Sequence, residues 1–334
     1  MSASQWHQGI ILVADDNEAS RDLLSALLIA EGYQVASAAD GQQALARVDS
    51  DSIDLALLDV MMPRPTGFEL CQAMKSKPET RLIPIILLTS LNSDADRIHG
   101  IMCGADDFLN KPVNKQELLA RVHSLLRLKQ FTDDLENAET VLSSLALSIE
   151  ARDPYTEGHC DRLSKYSVAL GEKLGLPEEL RVALGRGGLV HDIGKLLMPE
   201  HILLKPGSLT PEERKIMQQH TIAGERICDP LRSFRHVLPI IRHHHEKWDG
   251  SGYPDGLKGE QIPLTARILQ VTDIYDALTM DRPYRKAFPQ EKALAIMREE
   301  VKRGWRDASL IDQLEQVVAE SAPQLANVGA KNER

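Results

Sequence analysis

The sequence predicts an α/β doubly wound parallel sheet (residues 9–125) joined by a long helix to an all-α domain. Three observations carry this. Short apolar runs alternate with amphipathic stretches through the first part of the chain. A stretch from about Lys115 to Glu150 then contains neither Pro nor Gly. From Ala151 onward, helical patterns are broken by Pro and Gly at 175–177, 206–211, 249–256 and 289, with no convincing strand.

Taken in order, Gly9–Ala14 (GIILVA) reads as a buried strand, and 18–31 as a helix with Leu23, Leu24, Leu27 and Leu28 on one side. Further strands are expected at 33–37, 53–58, 82–88 and 106–109, giving βαβ units whose chemistry sits at the strands' carboxyl ends. From Phe131 the apolar positions Leu135, Ala138, Leu142, Leu145 and Ile149 alternate steps of four and three, a heptad seam. Asp133, Asp134, Glu136 and Glu139 flank it, so a homodimer through the 126–150 helix is expected over a linker packed on its own domains. The domain limits are 9–125, 126–150 and 151–325.

The chain has 334 residues, 43% of them hydrophobic and 26% charged, which suits two globular domains. A net charge of −10 argues against a sequence-independent grip on nucleic acid. It leaves room for a phosphate ligand held by a few local cations. Cys71, Cys103, Cys160 and Cys228 are widely spaced without a CxxC pair and read as reduced thiols. The N-terminus has no basic n-region, and no apolar run approaches the ~20 residues of a membrane span. A cytoplasmic protein, without membrane contact, is expected.

Asp15 and Asp16 follow the first strand, Asp59 follows LALL, Thr89 ends IPIILL, and Lys111 precedes Pro112. All fall at carboxyl ends of strands. Singly, such an Asp is most often a helix cap and such a Lys a surface charge. Together, three carboxylates call for a hard cation, and Mg²⁺ fits. With Lys111 it would neutralise a phosphoryl group on Asp59. DD at 15–16, LLDVMMP at 57–63, LLTS at 87–90 and DDFLNKP at 106–112 make residues 9–125 resemble a response-regulator receiver domain. The resemblance implies Asp59 as phospho-acceptor, Asp15 and Asp16 holding Mg²⁺, and Thr89 and Lys111 on the phosphoryl group. It also implies Phe108 as the aromatic switch and a cognate histidine kinase as partner. Thr66, where an acidic residue is usual, is a departure outside the reactive group.

The second half holds His191 and Asp192 in GGLVHDIGK, His220, the run His243, His244, His245 before Glu246, and Asp273 in ARILQVTDIYDALT. Any one buried His is usually a hydrogen-bonded core residue, and the HHH run alone could be a surface cluster. The joint set of imidazole and carboxylate suits Mn, Fe, Zn or Ni better than Ca or Mg. Two such ions, bridged by one Asp, can clamp a phosphoryl group and activate water.

HDIGK at 191–195, HHEKWDGSGYPDGLKG at 244–259 and DIYDALTMDRPYR at 273–285 resemble an HD-GYP domain of the HD phosphohydrolase superfamily, from about residue 140 to 325. The resemblance implies hydrolysis of cyclic di-GMP to pGpG, and often onward to GMP. The implied ligands are His191, Asp192 (the bridge), His220, His244, His245 and Asp273, with His159 in DPYTEGHCDR as a further one. Relatives with three metals carry a Glu where this chain has Tyr155, and Glu157 is off that spacing. Two divalent ions are therefore expected over three, Fe or Mn favoured and Ni or Zn the alternatives. Asp192 and Lys195 are the expected catalytic pair. Lys195, four residues after His191 and on the same helix face, can neutralise a phosphate oxygen. Arg282 and Arg285 could fork onto phosphate or guanine. Tyr253 offers a flat face to a base, amid turns at Gly250, Gly252, Gly256 and Gly259. The GYP segment is also linked, in that family, to diguanylate cyclase domains. GWRDASL at 304–310 departs from the family and should affect packing only. The expectation is a response regulator whose phosphorylation at Asp59 controls a phosphodiesterase. Its rivals are a silent cyclic di-GMP sensor or cyclase-docking module, and a hydrolase of a related cyclic dinucleotide.

Overall fold

The structure is a computed structural model that describes residues 9–90, 94–150, 158–281 and 285–329. By its internal contacts the chain divides into two compact units, Met1–Asn137 and Ala138–Arg334.

The first unit is a five-stranded parallel sheet of β1 (Ile10–Ala14), β2 (Gln34–Ala38), β3 (Ile53–Asp59), β4 (Ile85–Thr89) and β5 (Asp107–Asn110), in the order 2-1-3-4-5. Between the strands run α1 (Glu18–Ala30), α2 (Gly41–Ser50), α3 (Gly67–Ser76) and α4 (Asp94–Met102). The apolar runs become central strands because both faces are covered by helices. Their side chains alternate. Leu12, Ala56 and Leu58 face Leu70 and Met74, whereas Ile11, Leu55 and Leu57 face Leu24, Leu28, Leu118 and Val122. β4 begins later than expected, at Ile85, just after Pro84, whose nitrogen has no hydrogen for the ladder. β5 is displaced by one residue. Asp106 stays outside it, its carboxylate accepting from the Ile85 amide (2.8 Å) and from Lys75 Nζ (2.7 Å). Thr66 proves to be the N-cap of α3, in a capping box with Glu69.

The second unit is helical. The long helix α5 (Lys115–Glu150) precedes α6 (His159–Lys173), α7 (Glu178–Val190), α8 (Glu200–Leu203), α9 (Pro211–Met217), α10 (His220–Cys228), α11 (Leu238–His243), α12 (Leu264–Thr279), α13 (Gln290–Lys302) and α14 (Ala308–Gly329). Leu163, Leu184, Phe234, Ile240, Ile268 and Leu314 centre its core. The heptad seam is divided. Leu142 and Ile149 pack onto this core beside buried Ala146, so that part of the seam serves the chain's own domain. Phe131 and Leu135 remain 54% and 49% exposed. Leu145 is also 40% exposed, so a partner helix could use the earlier positions and Leu145. All four cysteines are free and buried. Among the described residues, no helix is long and apolar enough to cross a membrane.

Candidate metal centre

Five helices deliver the histidines and aspartates of the second unit to one place. α7 ends at Val190; His191 caps it, and Asp192 opens the turn that follows. His220 is the first residue of α10, His244 caps α11, Asp273 lies in α12, and His159 starts α6. Gly194 lets the Asp192 turn approach α10, since a Cβ there would lie 1.9 Å from the His220 carbonyl oxygen.

Two donor sets result. Asp192, His220, His244 and His245 each offer an atom within 4.8 Å of the others, as do His159, His191 and Asp273. Asp192 lies between them: Oδ2 is 3.3 Å from His191 Nε2, and Oδ1 is 3.2 Å from His220 Nε2. The sets fit divalent transition cations on two grounds. Asp192 Oδ1, His220 Nε2 and His244 Nε2 are buried without a hydrogen bond, a costly condition for polar atoms unless they bind an ion. In addition, Nδ1 of His191, His220 and His244 faces the carbonyls of Gly188 (3.2 Å), Met217 (2.7 Å) and Ile241 (2.8 Å). A carbonyl only accepts, so each Nδ1 carries the hydrogen and each Nε2 presents its lone pair to the centre.

The electrostatics agree. Burial pushes His244 well down and His245 down to about 3, with neighbouring imidazoles adding to both, so these rings are neutral, as ligands must be. Burial works to raise the Asp192 carboxyl, but Lys195 and His191 hold it well below the usual range. His191 is the exception. Burial acts to lower it, yet the Asp192 charge outweighs this and the net direction is upward. A cation beside Asp192 would cancel that pull.

Lys195 Nζ donates to Asp192 Oδ2 at 2.6 Å, at the edge of the cluster. The Tyr253 ring lies 4.9 Å from that of His245, tilted 33°. Arg285 sits elsewhere: it donates to the Leu278 (3.0 Å) and Ala277 (2.6 Å) carbonyls at the end of α12 and lies over Phe288. Arg282, Tyr155 and Glu157 lie outside the described residues. His243, first of the HHH run, is apart from the cluster, with Glu246 and Asp255. Trp305 packs under Lys247 and accepts from the Trp248 amide, consistent with a packing role for 304–310.

Sequence reasoning missed two buried carboxylates. Glu246 accepts from the amides of Asp255 (2.8 Å), Gly256 (3.0 Å) and Leu257 (3.1 Å), folding the glycine-rich loop back so that the Tyr253 amide reaches the His245 carbonyl. Asp276 lies 2.7 Å from His159 Nδ1 and pairs with Arg162. The available signal was an acidic residue inside an apolar pattern: Asp276 follows Asp273 by one turn in DIYDALT.

In the first unit, Asp15, Asp16 and Asp59 bring carboxylate oxygens within 4.8 Å of one another. Lys111 Nζ is 2.8 Å from Asp15 Oδ2 and 3.0 Å from Asp59 Oδ1. Thr89 ends β4 beside them in sequence register, its carbonyl accepting from the Lys111 amide. The all-oxygen set suits Mg²⁺. Burial raises the Asp59 carboxyl, opposed by Lys111. Phe108 packs against α4 at Gly100, where a Cβ would come within 2.2 Å of its ring.

Comparison with known proteins agrees with both units. Residues 11–123 match the response regulator receiver domain, and residues 143–310, half of the chain, match the HD domain. The cyclic di-GMP phosphodiesterase response regulator RpfG of Xanthomonas campestris pv. campestris is 36% identical over 310 residues, covering 86% of this chain and 82% of that protein. A probable cyclic di-GMP phosphodiesterase of Vibrio cholerae is 36% identical over 332 residues, 89% of this chain and 75% of that protein. A 3'3'-cGAMP-specific phosphodiesterase of the same organism is 41% identical over 161 residues, 48% of this chain and 35% of that protein. The chain belongs to the family of response regulators that couple a receiver domain to an HD domain.

Proposed function

We propose that this chain is a metal-dependent phosphodiesterase of cyclic di-GMP, governed by phosphorylation of Asp59. The observation that carries it is the convergence of lone-pair-bearing imidazoles on Asp192. The names of two relatives that align along most of the chain support the substrate. The proposed domain limits are 9–125, 126–150 and 151–325.

Asp192, His220, His244 and His245 would hold one ion and His159, His191 and Asp273 the other, with Asp192 between them; Fe or Mn is favoured, and Ni or Zn are alternatives. When bound, the ions acidify water and offset phosphoryl charge. Lys195, 2.6 Å from Asp192, adds a cation that can turn to a nonbridging oxygen as charge develops. Tyr253 supplies a flat wall beside His245 for a guanine. In the receiver unit, Lys111 is placed to neutralise a phosphoryl group on Asp59, with Asp15 and Asp16 holding Mg²⁺. The phosphoryl donor is a cognate histidine kinase in the cytoplasm. A second copy of the chain would meet the exposed positions Leu128, Phe131 and Leu135.

The shorter match to a 3'3'-cGAMP-specific enzyme favours one second reading, a related cyclic dinucleotide as substrate. The test is to purify the full chain anaerobically, quantify metal, and compare hydrolysis of cyclic di-GMP and 3'3'-cGAMP by product chromatography. Preferential conversion of cyclic di-GMP to pGpG supports the proposal. Preference for 3'3'-cGAMP replaces the substrate, and turnover of neither by the metal-replete chain rejects the enzyme.

A further inference from the structure

His159 is held differently from the other imidazoles. His191, His220 and His244 are fixed through Nδ1 by main-chain carbonyls, whereas His159 Nδ1 meets a carboxylate, Asp276 Oδ2, at 2.7 Å. Asp276 is only 1% exposed. Its Oδ1 accepts from Arg162 Nε at 2.7 Å, and its Oδ2 from Arg162 Nη2 at 3.1 Å.

The sequence spacing builds this arrangement. His159 and Arg162 are one turn apart on α6, and Asp273 and Asp276 are one turn apart on α12. Ser167 and Thr272, 2.8 Å apart through their hydroxyls, tie the same two helices further along. Each helix thus contributes one group to the donor set and one group to the support behind it.

We propose that Asp276 is a positioning residue for the His159–His191–Asp273 donor set, so that this set can lose its ion while Asp192–His220–His244–His245 keeps its own. The proposal rests on the two-ion reading above. A carboxylate can only accept, so it keeps the hydrogen on Nδ1 and turns the His159 Nε2 lone pair toward Asp273, 3.6 Å away. Asparagine has nearly the same shape but one acceptor oxygen, and the Arg162 guanidinium competes for it. The amide NH₂ then faces Nδ1 and favours the opposite tautomer, which points a hydrogen at the ion. In the other set, His220 and His244 are tied instead by main-chain carbonyls.

The experiment is equilibrium dialysis of the full chain against Mn(II) in excess Mg²⁺, which keeps the Asp15–Asp16–Asp59 site of the receiver unit filled, with the paired-ion signal read by electron paramagnetic resonance. Wild type should bind two equivalents and show exchange coupling. Asp276→Asn should retain one tightly and bind the second about 10–100-fold more weakly, with the coupling lost. Arg162→Gln breaks the same buried ion pair but leaves the carboxylate on His159, and should keep two. If Asp276→Asn does not fold, Asp276→Ser, with room for water, is measured against the same expectation. Two equivalents at wild-type affinity in the Asp276 variant would overturn the proposal. Loss of the same ion from Arg162→Gln would also overturn it, because the ion pair and not the carboxylate would then be responsible. A wild type binding at most one ion defeats the two-ion reading itself, an outcome that the wild-type sample alone decides.

Discussion

Asp192 Oδ1 and His220 Nε2 lie 3.2 Å apart, both buried, with no hydrogen bond between them. Their approach depends on Gly194, whose missing Cβ makes room for the His220 main chain. Gly194→Ala forces a carbon to within 1.9 Å of a carbonyl oxygen, so backbone must move. The expected cost is about 1–3 kcal/mol, as for overpacking, together with weaker metal binding. A urea midpoint and metal content equal to wild type would contradict this.

Lys195 is predicted to act on charge in the transition state and not on metal retention. Lys195→Met should lower kcat by about 10²-fold, in the range for removing one preorganised donor, while KM and metal content stay near wild type. Steady-state kinetics with metal analysis on the same sample checks this; a pure KM effect would place Lys195 in ground-state binding.

Glu246 accepts three loop amides from a fully buried position. Glu246→Gln turns an NH₂ toward at least one of those donors. The loss should be about 1–3 kcal/mol, the scale of an unsatisfied buried group. Hydrogen exchange should quicken at Asp255, Gly256 and Leu257 ahead of α12. Unchanged protection there would contradict the anchoring role.

Burial raises the Asp59 carboxyl against the opposing pull of Lys111. An acid whose folded pKa is raised binds its proton more tightly in the folded state. Its ionised form therefore costs stability in full above the folded pKa, and the cost fades as pH falls from there to the unfolded value. Asp59→Asn should raise the unfolding temperature of the receiver transition at pH 7 without Mg²⁺, and the gain should shrink toward pH 4. Added Mg²⁺ should narrow the difference by stabilising wild type. A gain that grew on acidification would contradict the sign.

Much of this was legible in the sequence because period and position carry it. The parallel sheet followed from apolar runs, and Asp15, Asp59, Thr89 and Lys111 fell at strand ends by counting alone. The proposed metal donors were legible as residue types, most of them within three motifs. The supports behind them were not, because Asp276 and Glu246 differ from surface acids only by burial, which is a tertiary property. The seam failed in part for the same reason: periodicity marks an apolar face without naming its partner, and Leu142 and Ile149 face their own domain. Arg285 shows the converse case, a charge that suited phosphate by sequence but holds a helix end in the fold.

The most direct test of the account compares wild type with Asp192→Ala, both anaerobically purified and metal-replete, on cyclic di-GMP. Wild type should yield pGpG, and the variant should lose most bound metal and all detectable turnover. Hydrolysis by Asp192→Ala at a rate near wild type would contradict the central claim.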